Sequence, residues 1–123
     1  MSPIDYRGDF VYGEFHEAYD YARFQNYIVE TANLCRQKKC HKLLIDIRAV
    51  TGKINTWDRF RLAESVLRYY GWDIQLVVVY RAEELNGFVE NVIVNRGGNI
   101  QVFGDPALAY QALGLEDRAG VVK

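Results

Sequence analysis

Asp46, Arg48, Arg81 and Asp105 fall at or just beyond the ends of short apolar runs, where an open α/β sheet gathers the carboxyl ends of its parallel strands into a rim that can hold ligands. Acid–base catalysis at such a rim needs a carboxylate whose pKa lies near the working pH. Pairing Asp46 with Arg48 or Arg81 would do the opposite, because an adjacent guanidinium favours the charged carboxylate. These rim charges therefore read first as an ion pair that fixes loops. Cys35, Cys40 and His41 lie close in sequence, yet they lack the close cysteine spacing and the second ligand pair of a structural zinc site, and His16 is the only other histidine. Cys35 falls on an apolar helical stripe. Cys40 stands near cations that could lower its pKa, but without the catalytic arrangement that a nucleophile requires. Gly97-Gly98 is too short for a phosphate-cradling loop and precedes a strand instead of a helix. The expectation is a chain with no catalytic group, no metal and no cofactor.

The elements that must position these residues come from a chain of 123 residues, 50% of them hydrophobic and 14% aromatic, enough to bury the core of one domain. Its 15 basic and 16 acidic residues leave a formal net charge of -1, which gives no electrostatic case for nucleic-acid binding and confines any anionic-surface binding to local patches. No apolar run approaches the roughly 20 residues that span a bilayer. The start, Met1-Ser2-Pro3-Ile4-Asp5, lacks the basic and apolar regions of a secretory signal. A cytoplasmic protein without a transmembrane segment is expected, with both cysteines kept as thiols.

Ile4 to Tyr6 and Phe10 to Phe15 flank Arg7-Gly8 as a hairpin, with Phe10 and Tyr12 on one face and Val11 and Phe15 on the other. Arg7-Gly8-Asp9 spells an integrin-binding tripeptide, but in a chain without a secretory signal it reads as turn chemistry. Tyr21, Phe24, Ile28, Ala32 and Cys35 then recur at helical steps, on a helix from about His16 to Lys38. Arg36, Lys38, Lys39, His41 and Lys42 form the densest basic cluster at its end. They are cations for the negative end of the helix dipole, or else a patch for anionic lipid or an acidic partner. Lys42 to Ile47 is apolar at nearly every position, as a strand covered on both faces requires.

Asn55 or Thr56 caps a second helix, Asp58 lies in its first turn, and Trp57, Phe60, Ala63, Leu67 and Tyr70 form its buried stripe. Gly71 ends it, and Ile74 to Tyr80 reads as the most buried strand. A third helix from near Glu83 packs Leu85, Phe88, Val89, Val92 and Ile93 inward before Asn95-Arg96-Gly97-Gly98-Asn99 reverses the chain. The strand Ile100 to Phe103 follows, then a helix begun by Asp105-Pro106 and closed by Gly114. Right-handed crossovers turn this order into an α/β fold, a mixed sheet of about four to five strands whose last three are parallel, with helices on both faces. One domain covers 1–114, and 115–123 reads as a tail whose Val121 and Val122 could dock on a neighbour.

Leu43-Leu44-Ile45-Asp46-Ile47-Arg48, the segment Gly52-Lys53-Ile54-Asn55-Thr56-Trp57-Asp58-Arg59-Phe60, and Phe88-Val89-Glu90 through Asn95-Arg96-Gly97 to Val102-Phe103-Gly104-Asp105-Pro106 together resemble the SpoIIAA-like group of STAS domains, over most of the chain. The resemblance implies a STAS-like sheet with alternating helices. That group is also similar in fold to the lipid-carrying lobe of CRAL-TRIO proteins, so two functional classes come with it. The first is a non-enzymatic regulatory module of the anti-sigma factor antagonist kind, which binds a partner kinase and is switched by phosphorylation of a hydroxyl at a helix N-terminus. Thr56 is the candidate here, where a phosphate would add about -1.5 to -2 charges at the positive end of the dipole. Ile54-Asn55-Thr56-Trp57-Asp58 departs from that family's aspartate-serine-x-glycine motif, so Thr56 reads first as a cap or loop hydroxyl. The second class is a carrier of an apolar, lipid-like ligand. Among nine Tyr, six Phe and two Trp, the residues Phe60, Tyr69, Tyr70, Trp72 and Phe88 could wall its pocket, although aromatics also build ordinary filled cores.

The expectation carried forward is a non-catalytic STAS-like domain that regulates or adapts by binding an unidentified protein partner through Asn55, Thr56, Trp57, Asp58 and Arg59. A homodimer through an exposed helix or the hairpin edge is expected as well. A carrier of an apolar small molecule is the alternative. A partner-binding module should expose Trp57, Trp72 or Arg59, whereas a carrier should enclose a cavity.

Overall fold

The structure, a computed structural model, describes residues 4–81, 83 and 94–115. Strands β1 (Ile4–Tyr6) and β2 (Val11–Glu14) are joined by a tight reversal in which the Arg7 amide donates to the Phe10 carbonyl at 2.9 Å. Gly8 makes that reversal possible, because its φ of 93° lies where an L side chain is strained. The chain continues through α1 (Tyr21–Gln37), β3 (Lys42–Asp46), α2 (Thr56–Tyr70), β4 (Gln75–Val79), β5 (Ile100–Phe103) and α3 (Pro106–Ala112). The five-stranded sheet has the order β1-β2-β3-β4-β5, with β1 antiparallel to β2 and the other neighbouring pairs parallel. The hairpin therefore makes the sheet mixed, as the sequence suggests. The parallel set also includes β2, because α1 is itself a crossover from β2 to β3.

Each crossover advances one place in the same direction, and right-handed connections that do so set their helices on a single face. Phe24, Ile28, Ala32 and Cys35 of α1 and Ala63, Val66 and Tyr70 of α2 accordingly share one core with Val11, Leu43, Ile45 and Leu76. The opposite face carries Phe10, Tyr12, Leu44, Val77 and Val79, covered by Ala109 and Tyr110 of α3 and by Leu113 and Leu115. Leu43 and Leu44 thus point into different cores, which is why β3 is apolar without alternation. Leu115 stood at the start of the expected tail, but it is buried and its amide donates to the Tyr110 carbonyl at 2.8 Å. The rest of that tail, 116–123, and most of the expected third helix, with Leu85, Phe88, Val89, Val92 and Ile93, lie outside the described residues.

Two boundaries differ from the sequence pattern for physical reasons. Helix α1 starts at Tyr21, not near His16, because the preceding stretch is tied down in extended form: Phe15 donates its amide to the Asp46 carbonyl at 3.0 Å, and Tyr19 donates to the Thr51 carbonyl at 2.8 Å. Asp20 then caps the helix by accepting from the Arg23 amide. In α2 the buried residues are Ala63, Ser65, Val66 and Tyr70, and Trp57 is 66% exposed, so Trp57 does not belong to the buried stripe. At about 100° per residue, Trp57 lies roughly 180° around α2 from the buried Val66, on the side turned away from the core. Where α1 and α2 do meet, the Thr31 and Tyr70 hydroxyls share a buried hydrogen bond of 2.7 Å, and Thr31 also donates to the Tyr27 carbonyl. These buried hydroxyls between the two helices are thereby satisfied.

The end of α1 is a complete left-handed cap. The Cys40 amide donates to the Cys35 carbonyl at 2.8 Å, the Lys39 amide donates to the Arg36 carbonyl at 3.2 Å, and Lys39 between them holds a φ of 52°. Among the described residues Lys39 is the one non-glycine in that region. Lys39→Gly should therefore raise the unfolding free energy by about 0.5–1 kcal/mol, because relief of backbone strain outweighs the added freedom of the unfolded chain. Urea denaturation measures this; an unchanged or lower midpoint would contradict it.

Candidate functional site

Parallel strands deliver their carboxyl ends to one rim, and the rim of this sheet is crowded with charge. Glu14 and Asp46 are paired across β2 and β3, so two carboxylates stand side by side where like charges repel. Each has its own partners. Asp46 is buried and accepts from the Arg48 amide at 3.0 Å, from Arg48 Nε at 3.0 Å and from the other guanidinium nitrogen at 2.7 Å. This two-pronged pairing raises the affinity of the Arg48 guanidinium for its proton. Glu14 accepts from the Tyr12 hydroxyl at 3.0 Å and lies 2.9 Å from His16 Nε2. Burial first, and then the bond to Glu14, push the Tyr12 hydroxyl well above its ordinary pKa.

The other rim charges are held apart from this pair. Arg81 donates to the Val50 carbonyl at 2.8 Å and so fastens the loop after β3. Asp105 accepts from the Ala107 amide at 2.9 Å as the cap of α3. Asp46, Arg48, Arg81 and Asp105 thus do not converge on a common point. The strand order also advances without reversal, and the crevice that open α/β sheets offer to ligands forms where the order reverses. Among the described residues, no three His, Cys, Asp or Glu side chains are grouped to hold a metal ion.

A second network, invisible as a motif, joins the loop before α1 to the first turns of α2. Asn55 accepts from the Asp58 amide at 2.8 Å, which settles the cap on Asn55. Asp58 in turn accepts from the Tyr19 hydroxyl at 2.7 Å and from Arg61 at 2.7 Å. The Arg61 guanidinium lies 3.8 Å over the Tyr21 ring, a cation–π contact that brings α1 onto the same carboxylate. The Tyr19 bond, and then the Arg61 pair, hold the Asp58 carboxyl below its ordinary pKa, while burial and Asp58 push the Tyr19 hydroxyl up. Tyr19 lies 39 residues from Asp58, so local spacing carried no signal of this bond. The Asn55-x-x-Asp58 capping pattern was the legible half.

This network makes a rigid base for an exposed surface. Thr56 and Trp57 open α2 and are exposed, while Arg59 donates to the Ile54 carbonyl at 2.8 Å and so braces the loop. The Trp57 ring stacks on Phe60, with centroids 6.0 Å apart and planes at 15°. Arg96 lies 5.0 Å over the other member of that stack, Phe60, and approaches Glu64 at 3.6 Å. The expected pocket set is spread out instead. Tyr70 is buried on Thr31, Phe60 lies at the start of α2, and Trp72 lies beyond its end and is 76% exposed. Phe60 lies ten residues, or about 15 Å of helical rise, from Tyr70, with Tyr69 beside the latter. Phe88 lies outside the described residues.

The molecule is thus an α/β domain with a braced, aromatic helix start above its sheet rim. No family model matches the chain, and no curated protein matches it. No described helix is long and apolar enough to cross a membrane.

Asp46→Asn should lower the unfolding free energy by roughly 1–3 kcal/mol, since it weakens several bonds to a buried carboxylate. Denaturant melts measure this, and a neutral result would remove the pair from its structural role. Acid stability tests the second network. The Asp58 contribution is present above the unfolded pKa of 3.8 and is lost as pH falls through the lower folded value. Tyr19→Phe should therefore flatten the fall of stability below pH 3.8 relative to the unaltered protein; parallel acid curves would contradict the assignment.

Proposed function

We propose that this chain is a non-catalytic, STAS-like binding domain that acts as a regulatory or adaptor module through the start of α2. The observation that carries this reading is Trp57, 66% exposed on a helix start braced by Asn55, Asp58 and Arg59. Large aromatic side chains with a polar rim dominate binding energy at protein interfaces, and they do so best when little conformational entropy is lost on binding. Here Asn55, Asp58 and Arg59 fix the backbone, and Phe60 supports the indole from below. Glu64 and Arg96 supply the polar rim. Thr56, exposed beside the indole, is placed where an added phosphate would change the charge of the same surface. The five-stranded mixed sheet with helices on both faces supports the resemblance from which this reading starts.

Its test uses the two tryptophans as each other's control. The immobilised unaltered protein and Trp72→Ala should both retain the same stoichiometric partner from a host extract. Trp57→Ala should weaken that complex by about 30-fold or more while its thermal melt stays unchanged. Retention of the partner by folded Trp57→Ala would overturn the proposal. Should the partner be a second copy of the chain, sedimentation would show a dimer that Trp57→Ala dissociates.

A further inference from the structure

The pole opposite the rim combines features that neither strand ends nor helix ends require together. Because α1, α2 and α3 all return against the parallel strands, all three finish at the amino ends of those strands. The contacts there are direct: Arg36 donates to the Tyr69 carbonyl at 2.6 Å, the Gln75 amide donates to the His41 carbonyl at 2.7 Å, and the Gln75 side chain donates to the Ala112 carbonyl at 2.9 Å. Three helix ends carry partial negative charge, and some cations at this pole answer it. Arg36 sits on the end of α2, and the Lys42 ammonium lies beside Gly114 at the end of α3. Lys38 and Lys39 go beyond that need. Both are exposed, and among the described residues neither has a carboxylate within ion-pairing distance. Lys39 is held outward by a left-handed backbone that glycine would adopt more readily, and Lys38 lies 5.6 Å over the Tyr6 ring.

Trp72 completes the pole. It is 76% exposed, the most exposed of the large hydrophobic residues described, and stands three positions before Gln75, whose amide is bonded to His41. Among the described residues, the carboxylates of the nearby turns, Asp9 and Asp73, are fewer than the cations Arg36, Lys38, Lys39 and Lys42. We infer that this pole, which carries Trp72, Lys38 and Lys39, docks on the surface of an anionic lipid bilayer. The chemistry favours a bilayer over an acidic protein or a nucleic acid. Lysine ammoniums are mobile point charges suited to a diffuse negative surface, and an indole with one apolar body and one donor settles at the boundary between headgroups and acyl chains. Docking in this way leaves Trp57, about 22 Å away along α2, facing the solvent.

Vesicle co-sedimentation with the full chain tests the inference. The protein should bind vesicles of mixed phosphatidylserine and phosphatidylcholine, ignore pure phosphatidylcholine, and release as salt rises. Lys38→Glu with Lys39→Glu should weaken binding by roughly tenfold or more, and Trp72→Ala should weaken it independently. With Trp57→Phe, Trp72 is the remaining tryptophan of the two, and its emission should shift to the blue on binding and be quenched by acyl-brominated lipid. Absence of vesicle binding overturns the inference, as does binding that folded double-lysine and Trp72 variants retain. Binding to polyglutamate or to a DNA duplex without binding to vesicles would also overturn it, assigning the pole to an acidic macromolecule.

Discussion

A right-handed crossover that advances always in one direction is the constraint on which the rest of this molecule depends. From it follow the single face shared by α1 and α2 and the sheet order that never reverses. The same constraint leaves the other face to α3 and to Leu115. It also sends α1, α2 and α3 back to the same pole, so that their starts meet the charged rim and their ends meet the lysines. The chemistry of the two poles is therefore a result of chain direction as much as of residue choice.

The rim illustrates how a fold gathers charges of like sign and gives each its own partners. Glu14 and Asp46 are brought side by side by strand register, and each is then occupied by its own donors. A carboxylate whose oxygens already accept from a guanidinium and a backbone amide offers little to a substrate proton. The same rim contributes rigidity. The Asp46–Arg48 pair, Arg81 on the Val50 carbonyl and Tyr19 on Asp58 fasten the loops beside the start of α2. Exposure of Trp57 follows from its place on the side of α2 opposite the buried Val66.

Burial in this protein is unequal for residues of one type, and this decides their roles. Tyr70 and Tyr110 are among the largest fully buried side chains, while Trp57 and Trp72 project into solvent at opposite ends of the same helix. Tyr70 is satisfied by Thr31, whereas the buried Tyr110 ring meets Phe10 edge-on. Aromatic content alone described a core and a surface in the same terms.

By itself, the sequence determined the element order, the mixed α/β sheet, the division of Phe10 and Tyr12 from Val11 and Phe15, and the caps at Asn55, Gly71 and Asp105. Those features depend on contacts within a few residues: periodicity, dihedral freedom and a side chain reaching its own helix start. It also indicated the Asp46–Arg48 pair, whose partners are two residues apart. Only the tertiary structure decided that β2 joins the parallel set, that Trp57 leaves the buried stripe, that Tyr19 completes Asp58 and that Arg36 of α1 reaches the end of α2. Each of these depends on which distant segments become neighbours. Those are quantities of three-dimensional packing, to which local spacing along a chain is blind.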